Sequence, residues 1–417
     1  MTAPSAIRFL LGAEPGTAFE ALLDRCAAAP AWAPFDARAT AFVARFSQKL
    51  LTHPQARQFP EMAALGHWFR GASLRDLAAQ YPARVGFLRL GRGLAFHIAP
   101  ANVDSVFMYS WLLSLLAGNT NLVRVSQKGS PQQDFVIEAL RATLAEPVGQ
   151  AVAGRFVLLT YPHDDAVTGA ISARCQLRVV WGGDATVATL RAIPLRPTAT
   201  ELCFPDRFSA AALSAPAVAA LDDAGLAHLA QGFYNDAFWF AQQACSSPRL
   251  LAWVGEGAAI DAAAPRFWAA LAAEIQRRDA GADNTGAMTM ARLAASFEYA
   301  AAGLAHLADN ALGSYPLRLV LDAGLSAAVK EIHCGNGLFL EQHSATLAAL
   351  APQFSDREQT LSVFGFSAEE LGALMQAVPP RAIDRLVPIG QALDFSPVWD
   401  GQDLILSFSR LIALPPP

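Results

Sequence analysis

The chain is short of charge, of basic surplus, of paired cysteines and of long apolar runs, and each shortage closes off a class of function. Charged residues make up 16% of its 417 residues while apolar residues make up 53%; an ordinary soluble chain carries about 25% charge. So little charge implies a large buried core, and a chain of this length divides into two or three domains. The 31 basic residues are outnumbered by 36 acidic ones, for a net charge of −5. No basic stripe is available to neutralise phosphates, which argues against a nucleic-acid partner. The five cysteines, Cys26, Cys175, Cys203, Cys245 and Cys334, form no C-x-x-C pair. An odd count without zinc spacing reads as reduced thiols in a reducing compartment rather than a disulfide scaffold. The longest largely apolar stretch, Val106–Ala117, is too short to span a bilayer. The early run Phe9-Leu-Leu-Gly12 is too short for a signal-peptide core. A soluble cytoplasmic protein is expected.

What is present is an alternation. Residues 1–84 read as a helical N-terminal layer, with amphipathic segments at Thr17–Ala28 and Ala37–Leu51. From about Val85 the pattern changes. Strands are expected at Gly93–Ala99, Asn121–Val125, Arg155–Tyr161 and Gln176–Trp181. Helices are expected between them at Ser105–Ala117, Pro131–Ala145 and Asp164–Ala173, with another after Gly182-Gly183-Asp184. Strands alternating with helices of this length indicate a parallel, doubly wound sheet covered on both faces. Ligands of such sheets bind at the carboxyl ends of the strands. A second α/β unit is expected over 206–375, with helices at Ala211–Ala220, Leu226–Ala244 and Ala263–Arg278, and strands at Leu250–Val254, Leu317–Val320 and Leu338–Glu341. Residues 376–417 read as a return segment of strand-like pieces, including Asp403–Phe408, that join the first sheet or pair with another subunit.

The residue richest in chemical meaning is Cys245, in Phe238-Trp-Phe-Ala-Gln-Gln-Ala-Cys-Ser-Ser-Pro-Arg249. Pro248 cannot continue a helix, so the thiol is expected at a helix-to-loop junction within reach of a ligand. That suits a covalent nucleophile; the competing reading is a buried small hydrophobe. Asn102 follows a strand and precedes a helix. It serves either as an N-cap or as a donor to a developing oxyanion. Arg124 ends a strand, as a solvent-facing charge or as a cation for the ribose or 2′-phosphate of a nucleotide. Gly182 and Gly183 open a helix, where backbone N–H groups can receive a pyrophosphate, although the G-x-G-x-x-G fingerprint is missing from this sheet. His97, mid-strand, reads as a core histidine. His163, Asp164 and Asp165 read as turn and cap residues. His333-Cys334 has no metal spacing, so no zinc site is expected.

Several of these segments, in order, carry a resemblance. Phe96-His-Ile-Ala-Pro-Ala-Asn102-Val, Leu116-Ala-Gly-Asn-Thr-Asn-Leu-Val-Arg124-Val-Ser, Val180-Trp-Gly-Gly-Asp184 and Gln243-Ala-Cys245-Ser-Ser-Pro-Arg249 resemble the aldehyde dehydrogenase superfamily. Arg385-Leu-Val-Pro-Ile-Gly-Gln-Ala-Leu-Asp-Phe and Trp399-Asp-Gly401 resemble, more closely, its luminescence-type branch, the acyl-CoA reductases of the LuxC kind. The similarity runs from about residue 85 to about residue 413. It implies an α/β, aldehyde dehydrogenase-like fold: two doubly wound domains, 85–205 for the nucleotide and 206–375 for the nucleophile, plus the helical layer. It assigns Cys245 as nucleophile, Asn102 as oxyanion donor, and Arg124, Gly182 and Gly183 to the cofactor, with Arg124 standing where the family ordinarily carries a lysine.

The resemblance further implies NADPH as cofactor, a fatty acyl-CoA or acyl-carrier substrate, an acyl-transfer partner enzyme and a homo-oligomer. The reaction it implies is reduction of an acyl thioester to an aldehyde through an acyl-enzyme. The helix end and a bound cofactor are then expected to lower the Cys245 pKa. Glu201 lies roughly where hydrolytic members carry a water-activating Glu, but the residues around that Glu are absent, so Glu201 is not given that role. Glu341 is only a loose match to the family's cofactor-ribose Glu. Two other readings stay open: a cysteine-dependent acyl hydrolase or acyltransferase without a redox step, and a non-catalytic domain that binds an acyl-transfer enzyme.

Overall fold

Strands buried on both faces cannot alternate polar with apolar, and three segments within residues 1–205 meet that condition in full. Every residue of Leu94–Ile98, Phe156–Thr160 and Leu177–Trp181 is buried. A computed structural model, describing residues 7–13, 16–99, 104–278, 284–309 and 311–415, places all three in one sheet. The chain divides into two compact units, residues 1–205 with 395–417, and residues 206–394.

The sheet of the first unit has six strands in the order Arg8–Leu11, Phe156–Thr160, Thr120–Arg124, Leu94–Ile98, Leu177–Trp181, Thr200–Phe204. All neighbours are parallel except Arg8–Leu11, which runs antiparallel to Phe156–Thr160. The N-terminal layer is therefore not wholly helical. Its short apolar run is an edge strand, and Gly12 lets it leave: φ is +82°, and a Cβ there would sit 1.9 Å from the Phe156 carbonyl oxygen. The remainder of the layer is helical, at Phe19–Ala28, Ala37–Thr52, Pro60–Trp68 and Gly71–Ala79. Phe42 and Phe46 of the second of these pack edge-on to Trp111, which stacks on Phe156 of the sheet.

Strand order reverses at Leu94–Ile98. The next two strands in sequence build outward on one side and the following two on the other, so the crevice of such a sheet opens at the carboxyl ends of Leu94–Ile98 and Leu177–Trp181. Gly118-Asn119 follows the end of the helix Asp104–Leu116, and Asn119 does more than end a helix. Its carboxamide donates to the Phe408 carbonyl (2.9 Å) and accepts the Gly93 N–H (3.1 Å), tying the start of the central strand to the C-terminal segment. That segment returns as Ser409–Ala413, antiparallel to Phe87–Gly91. Within the stretch expected as a strand, Leu404–Ser407 is instead a single helical turn capped by Asp403.

The second unit holds seven strands in the order Ala305–Leu307, Leu317–Leu321, Leu338–Ser344, Leu250–Val254, Phe208–Ser214, Glu358–Phe364, Arg385–Pro388, parallel except at the Ala305–Leu307 edge. Here the helix expected from Ala211 to Ala220 is overturned. Phe208–Ser214 is a strand and only Ala215–Ala219 is helical. Phe208, Ala210 and Ala212 face one core while Ala211 and Leu213 face the other. A sheet covered on both faces gives alanine a place its helix propensity does not suggest, since packing on both sides decides strand identity. The helix expected to reach Ala244 covers only Asp223–Ala237.

Candidate active site

The segment before Cys245 is built on three consecutive non-glycine residues in the left-handed region: Phe240 (φ 56°), Ala241 (φ 50°) and Gln242 (φ 64°). Each such residue costs free energy and persists only where its surroundings hold it. Gln242 supplies much of that hold. Its buried carboxamide donates to the carbonyls of Pro248 (2.8 Å) and Leu338 (3.0 Å) and accepts the Gly337 N–H (3.0 Å). The Ala241 carbonyl accepts the Asn336 N–H at 2.8 Å. A tight turn follows, closed by the Ser247 N–H on the Ala244 carbonyl at 3.0 Å, and Cys245 lies inside it. The residue is partly exposed. It does not sit at a helix end, so the expectation that a helix terminus lowers its pKa is withdrawn. A helix C-terminus is in any case the negative end of the dipole and disfavours a thiolate.

The turn rests on the amino-terminal ends of two strands. Ser209 donates its hydroxyl to the Cys245 carbonyl (2.7 Å) and accepts the Thr360 N–H (3.2 Å). Beside it, Gln359 donates from Nε2 to the Cys245 sulfur at 3.3 Å. Arg249, just past the turn, has its N–H on the Ser209 carbonyl at 2.9 Å, and its guanidinium lies 5.9 Å from the centre of the Phe208 ring. The Arg249 Nε is buried without a hydrogen-bond partner. Burial lowers the Arg249 pKa, and the nearby Cys245 opposes that shift.

Neither member of the His333-Cys334 pair offers a base to the turn. His333 takes the Gly335 N–H on Nδ1 (3.0 Å), and its Nε2 faces the Leu338 carbonyl (3.0 Å), so the ring is neutral with its proton on Nε2. Burial, helped by the charge of Arg249, pushes its pKa down to about 3. Burial raises the Cys334 thiol. No group of His, Cys, Asp or Glu that could hold a metal occurs among the described residues.

In the first unit, Asn102 lies outside the described residues; the segment that carries it leaves the carboxyl end of Leu94–Ile98. Gly182 and Gly183 leave the adjacent strand, across the switch point. Gly183 caps the helix Asp184–Arg191 with no side-chain bond to its first N–H groups. Gly182 is already engaged, donating its N–H to the Phe204 carbonyl at 3.2 Å. Arg124 is not a plain solvent-facing charge. Its guanidinium packs 4.8 Å from the Tyr161 ring centre and donates to the Tyr161 carbonyl (3.2 Å), and its Nε is buried without a partner. An orphaned guanidinium N–H at a strand's carboxyl end, with an uncapped helix start at another strand of the same sheet, fits the phosphates of a dinucleotide.

The remaining ionisable residues are structural. His97 sits between Ser110 (3.0 Å) and the Asn121 carboxamide oxygen (3.1 Å), and burial pushes its pKa down to about 4. Asp164 is an N-cap, accepting the N–H groups of Ala166 and Val167. Glu201 is bound by Arg178 at 2.6 Å and Arg191 at 3.2 Å. Glu341 is consumed by Trp253 (3.0 Å), Trp268 (2.9 Å) and Arg318 (2.7 Å), which leaves it no role at a ribose. Sequence reading missed Ser209, Gln242 and Gln359. Only Gln242, inside the nucleophile run, carried any signal.

Residues 73–299, more than half of the chain, match the family model described as acyl-CoA reductase (LuxC). Among curated protein sequences none matches the chain. Solved structures do. The NAD-dependent aldehyde dehydrogenase from Sinorhizobium meliloti is similar at 14% identity over 95% of this chain and 87% of that one, with a TM-score of 0.66. The aldehyde dehydrogenase KauB from Pseudomonas aeruginosa is similar at 14% identity over 88% and 80%, with a TM-score of 0.62. Proline Utilization A from Corynebacterium freiburgense, at 14% identity and a TM-score of 0.63, covers 98% of this chain with 45% of its own. At this identity the likeness carries the fold alone, and the fold is that of the aldehyde dehydrogenases.

Proposed function

The chain belongs to the acyl-CoA reductase (LuxC) family, and from that premise we propose that it reduces an acyl thioester to an aldehyde with NADPH, by way of an acyl-enzyme on Cys245. The observation that carries this reading is the state of Cys245: partly exposed, in a tight turn, with a side-chain donor on its sulfur.

In this reading the Cys245 sulfur attacks the thioester carbonyl. A sulfur–carbon bond forms, the donor thiolate leaves, and an acyl group stays on the protein. The Asn102 amide and the Cys245 backbone N–H take the charge of the tetrahedral oxygen, a task worth about 10²–10³ in rate per donor. Arg124 and the turn at Gly182 and Gly183 hold the phosphates of the nicotinamide cofactor, Arg124 with an N–H that no described residue satisfies. Bound there, the cofactor supplies a hydride. Overall, thioester, NADPH and one proton give aldehyde, thiol and NADP⁺. Cys245 returns as the thiolate.

Neither Glu201 nor Glu341 supports a competing hydrolysis. Glu201 is held by two arginines, and Glu341 by two indoles and one arginine. The half-buried, neutral His333, with both ring nitrogens engaged, gives no support to a cysteine–histidine hydrolase either. Intact-protein mass spectrometry tests the proposal: incubation with acyl-CoAs of several lengths should add one acyl mass at Cys245, and NADPH should remove it with release of aldehyde. An adduct lost to water at the same rate without NADPH points to the hydrolase, and no adduct with any donor sinks the acyl-enzyme.

A further inference from the structure

The segment before the Cys245 turn is braced by a second unusual stretch of backbone. Gly335 (φ 68°), Asn336 (φ 60°) and Gly337 (φ 80°) are again three consecutive residues in the left-handed region. Two bonds join them to Phe240–Gln242: the Asn336 N–H donates to the Ala241 carbonyl (2.8 Å), and the Gly337 N–H to the Gln242 side-chain oxygen (3.0 Å). The approach is close, since a Cβ on Gly335 would lie 2.5 Å from the Gln243 side-chain nitrogen. Asn336 is the one non-glycine of the three, and asparagine tolerates this region better than most residues.

Arg292 holds this loop from the other side. It lies on the helix Gly286–Ala301, and its Nη1 donates to the Asn336 carbonyl at 2.7 Å. Asn336 thus has its N–H on the nucleophile segment and its carbonyl on the arginine. The other arm of the guanidinium, Nη2, donates to the Asn284 carboxamide oxygen (2.7 Å) and the Thr289 hydroxyl (3.2 Å). The group also stands 4.9 Å from the centre of the Tyr315 ring. A planar fork engaged at both ends and packed on a ring has one orientation. Its helix is anchored too: two turns along, the fully buried Tyr299 donates its hydroxyl to the Val329 carbonyl at 2.7 Å.

Arg292 is only 1% exposed, and among the described residues its hydrogen-bond acceptors are all neutral oxygens. Burial lowers its pKa accordingly. For stability alone, a buried charge is often no better than an apolar side chain of similar volume. What the arginine adds is a directed hold on Asn336 that no apolar residue supplies.

We propose that Arg292 is a positioning residue for Cys245: through Asn336 it fixes Phe240–Gln242, and with that segment the turn from which the sulfur attacks. The scheme rests on Cys245 being the nucleophile.

Two measurements on the full chain test it. In single-turnover loading with an acyl-CoA, Arg292→Met should slow acylation of Cys245 by about 10–100-fold, the scale set by misplacing a reacting atom by up to about 1 Å. The half-saturating acyl-CoA concentration should not change. Arg292→Lys keeps the charge but not the fork, and should stay slow. In hydrogen exchange, the amides of Asn336, Gly337 and Ser247 should lose protection in Arg292→Met, while those of Leu250–Val254 keep theirs. An arginine that serves the fold alone would lower protection in both sets together and leave loading at the wild-type rate below the melting temperature. If Arg292→Met does not fold, Asn284→Ala, which removes one oxygen that orients the guanidinium, should give the same pattern at smaller size. Wild-type loading in the folded variant, unchanged exchange at Asn336, Gly337 and Ser247, or full rescue by lysine overturns the proposal. Wild-type protein that takes up no acyl group sinks the acyl-enzyme instead, and the exchange pattern then decides the role of Arg292 by itself.

Discussion

Gln242 and Gly337 are joined by a buried hydrogen bond of 3.0 Å, from the Gly337 N–H to the Gln242 side-chain oxygen, and this bond fastens the nucleophile segment to the loop before the strand Leu338–Ser344. The same carboxamide reaches the carbonyls of Pro248 and Leu338. Its residue, with its two predecessors, sits in the left-handed region. The turn that carries Cys245 is therefore held against its own backbone preference, with the Gln242 side chain making three of the bonds that hold it.

Removing that side chain should cost more than the contact. Gln242→Ala takes their partner from the Pro248 carbonyl and the Gly337 N–H, while the Leu338 carbonyl keeps His333, at about 1–3 kcal/mol for each group left unpaired before relaxation. The expected result is a lower melting temperature together with slower acylation of Cys245, because the turn relaxes. Calorimetry and single-turnover loading check the two halves separately. A variant that melts lower but acylates at the wild-type rate would show that Gln242 serves stability alone.

Two substitutions address the chemistry. Cys245→Ser should abolish both covalent loading and NADPH oxidation, while Cys334→Ser should leave both near wild type. Asn102→Ala should reduce kcat by about 10²–10³ if its amide serves the oxyanion. A loss of only a few-fold, with a lower melting temperature, would assign Asn102 to helix capping instead. Stopped-flow NADPH absorbance reads both.

What the sequence discloses and what it hides follow from the range of each interaction. The strands Leu94–Ile98 and Leu177–Trp181 were legible because strands buried on both faces read as continuous apolar runs. Cys245 was legible because a thiol before Ser-Ser-Pro is a local signal. Phe208–Ser214 was not, since an alanine run announces a helix and only the two cores that sandwich it make it a strand. The early end of the helix at Ala237 was not either. No glycine marks Phe240–Gln242, and the compensation comes from a loop near residue 337, far along the chain. Gln359 and Ser209 reach the turn only because parallel pairing of Phe208–Ser214 with Glu358–Phe364 brings their amino ends together.

Glu201 provides a discriminating test of the hydrolytic alternative. It neutralises Arg178, a guanidinium only 2% exposed that also donates to Ser172 and the Ile193 carbonyl. Glu201→Ala strands that charge and should destabilise the first unit by about 3 kcal/mol, seen as a lower urea midpoint. The ratio of aldehyde to free acid among the products should not change. If that ratio shifts while stability holds, Glu201 is acting on water after all.

The second unit should show an unusually flat response to mild acid, because two groups with shifted pKa values pull in opposite directions. His333 is depressed from 6.5 to about 3 by burial, helped by the charge of Arg249. A lowered folded-state pKa on a base contributes stability above 6.5 that is lost as pH falls toward 3. Asp236 is raised from 3.8 to about 7, chiefly by burial, although it accepts the N–H groups of Gly390 (2.7 Å) and Ala392 (2.9 Å). A raised folded-state pKa on an acid contributes stability below 3.8 that is lost as pH rises toward 7. Between about pH 4 and 6.5 one proton is excluded and another taken up on folding, so the slopes cancel. Single substitutions uncover each slope, at about 1.4 kcal/mol per pH unit. Asp236→Asn should make the unit lose stability on acidification, through the His333 proton alone. His333→Gln, which keeps a donor for the Leu338 carbonyl and an acceptor for the Gly335 N–H, should make it lose stability as pH rises through the same window. Urea midpoints across that range, followed by the fluorescence of Trp253 and Trp268 within the unit, measure both. Parallel curves for wild type and both variants would mean that neither group changes protonation on folding.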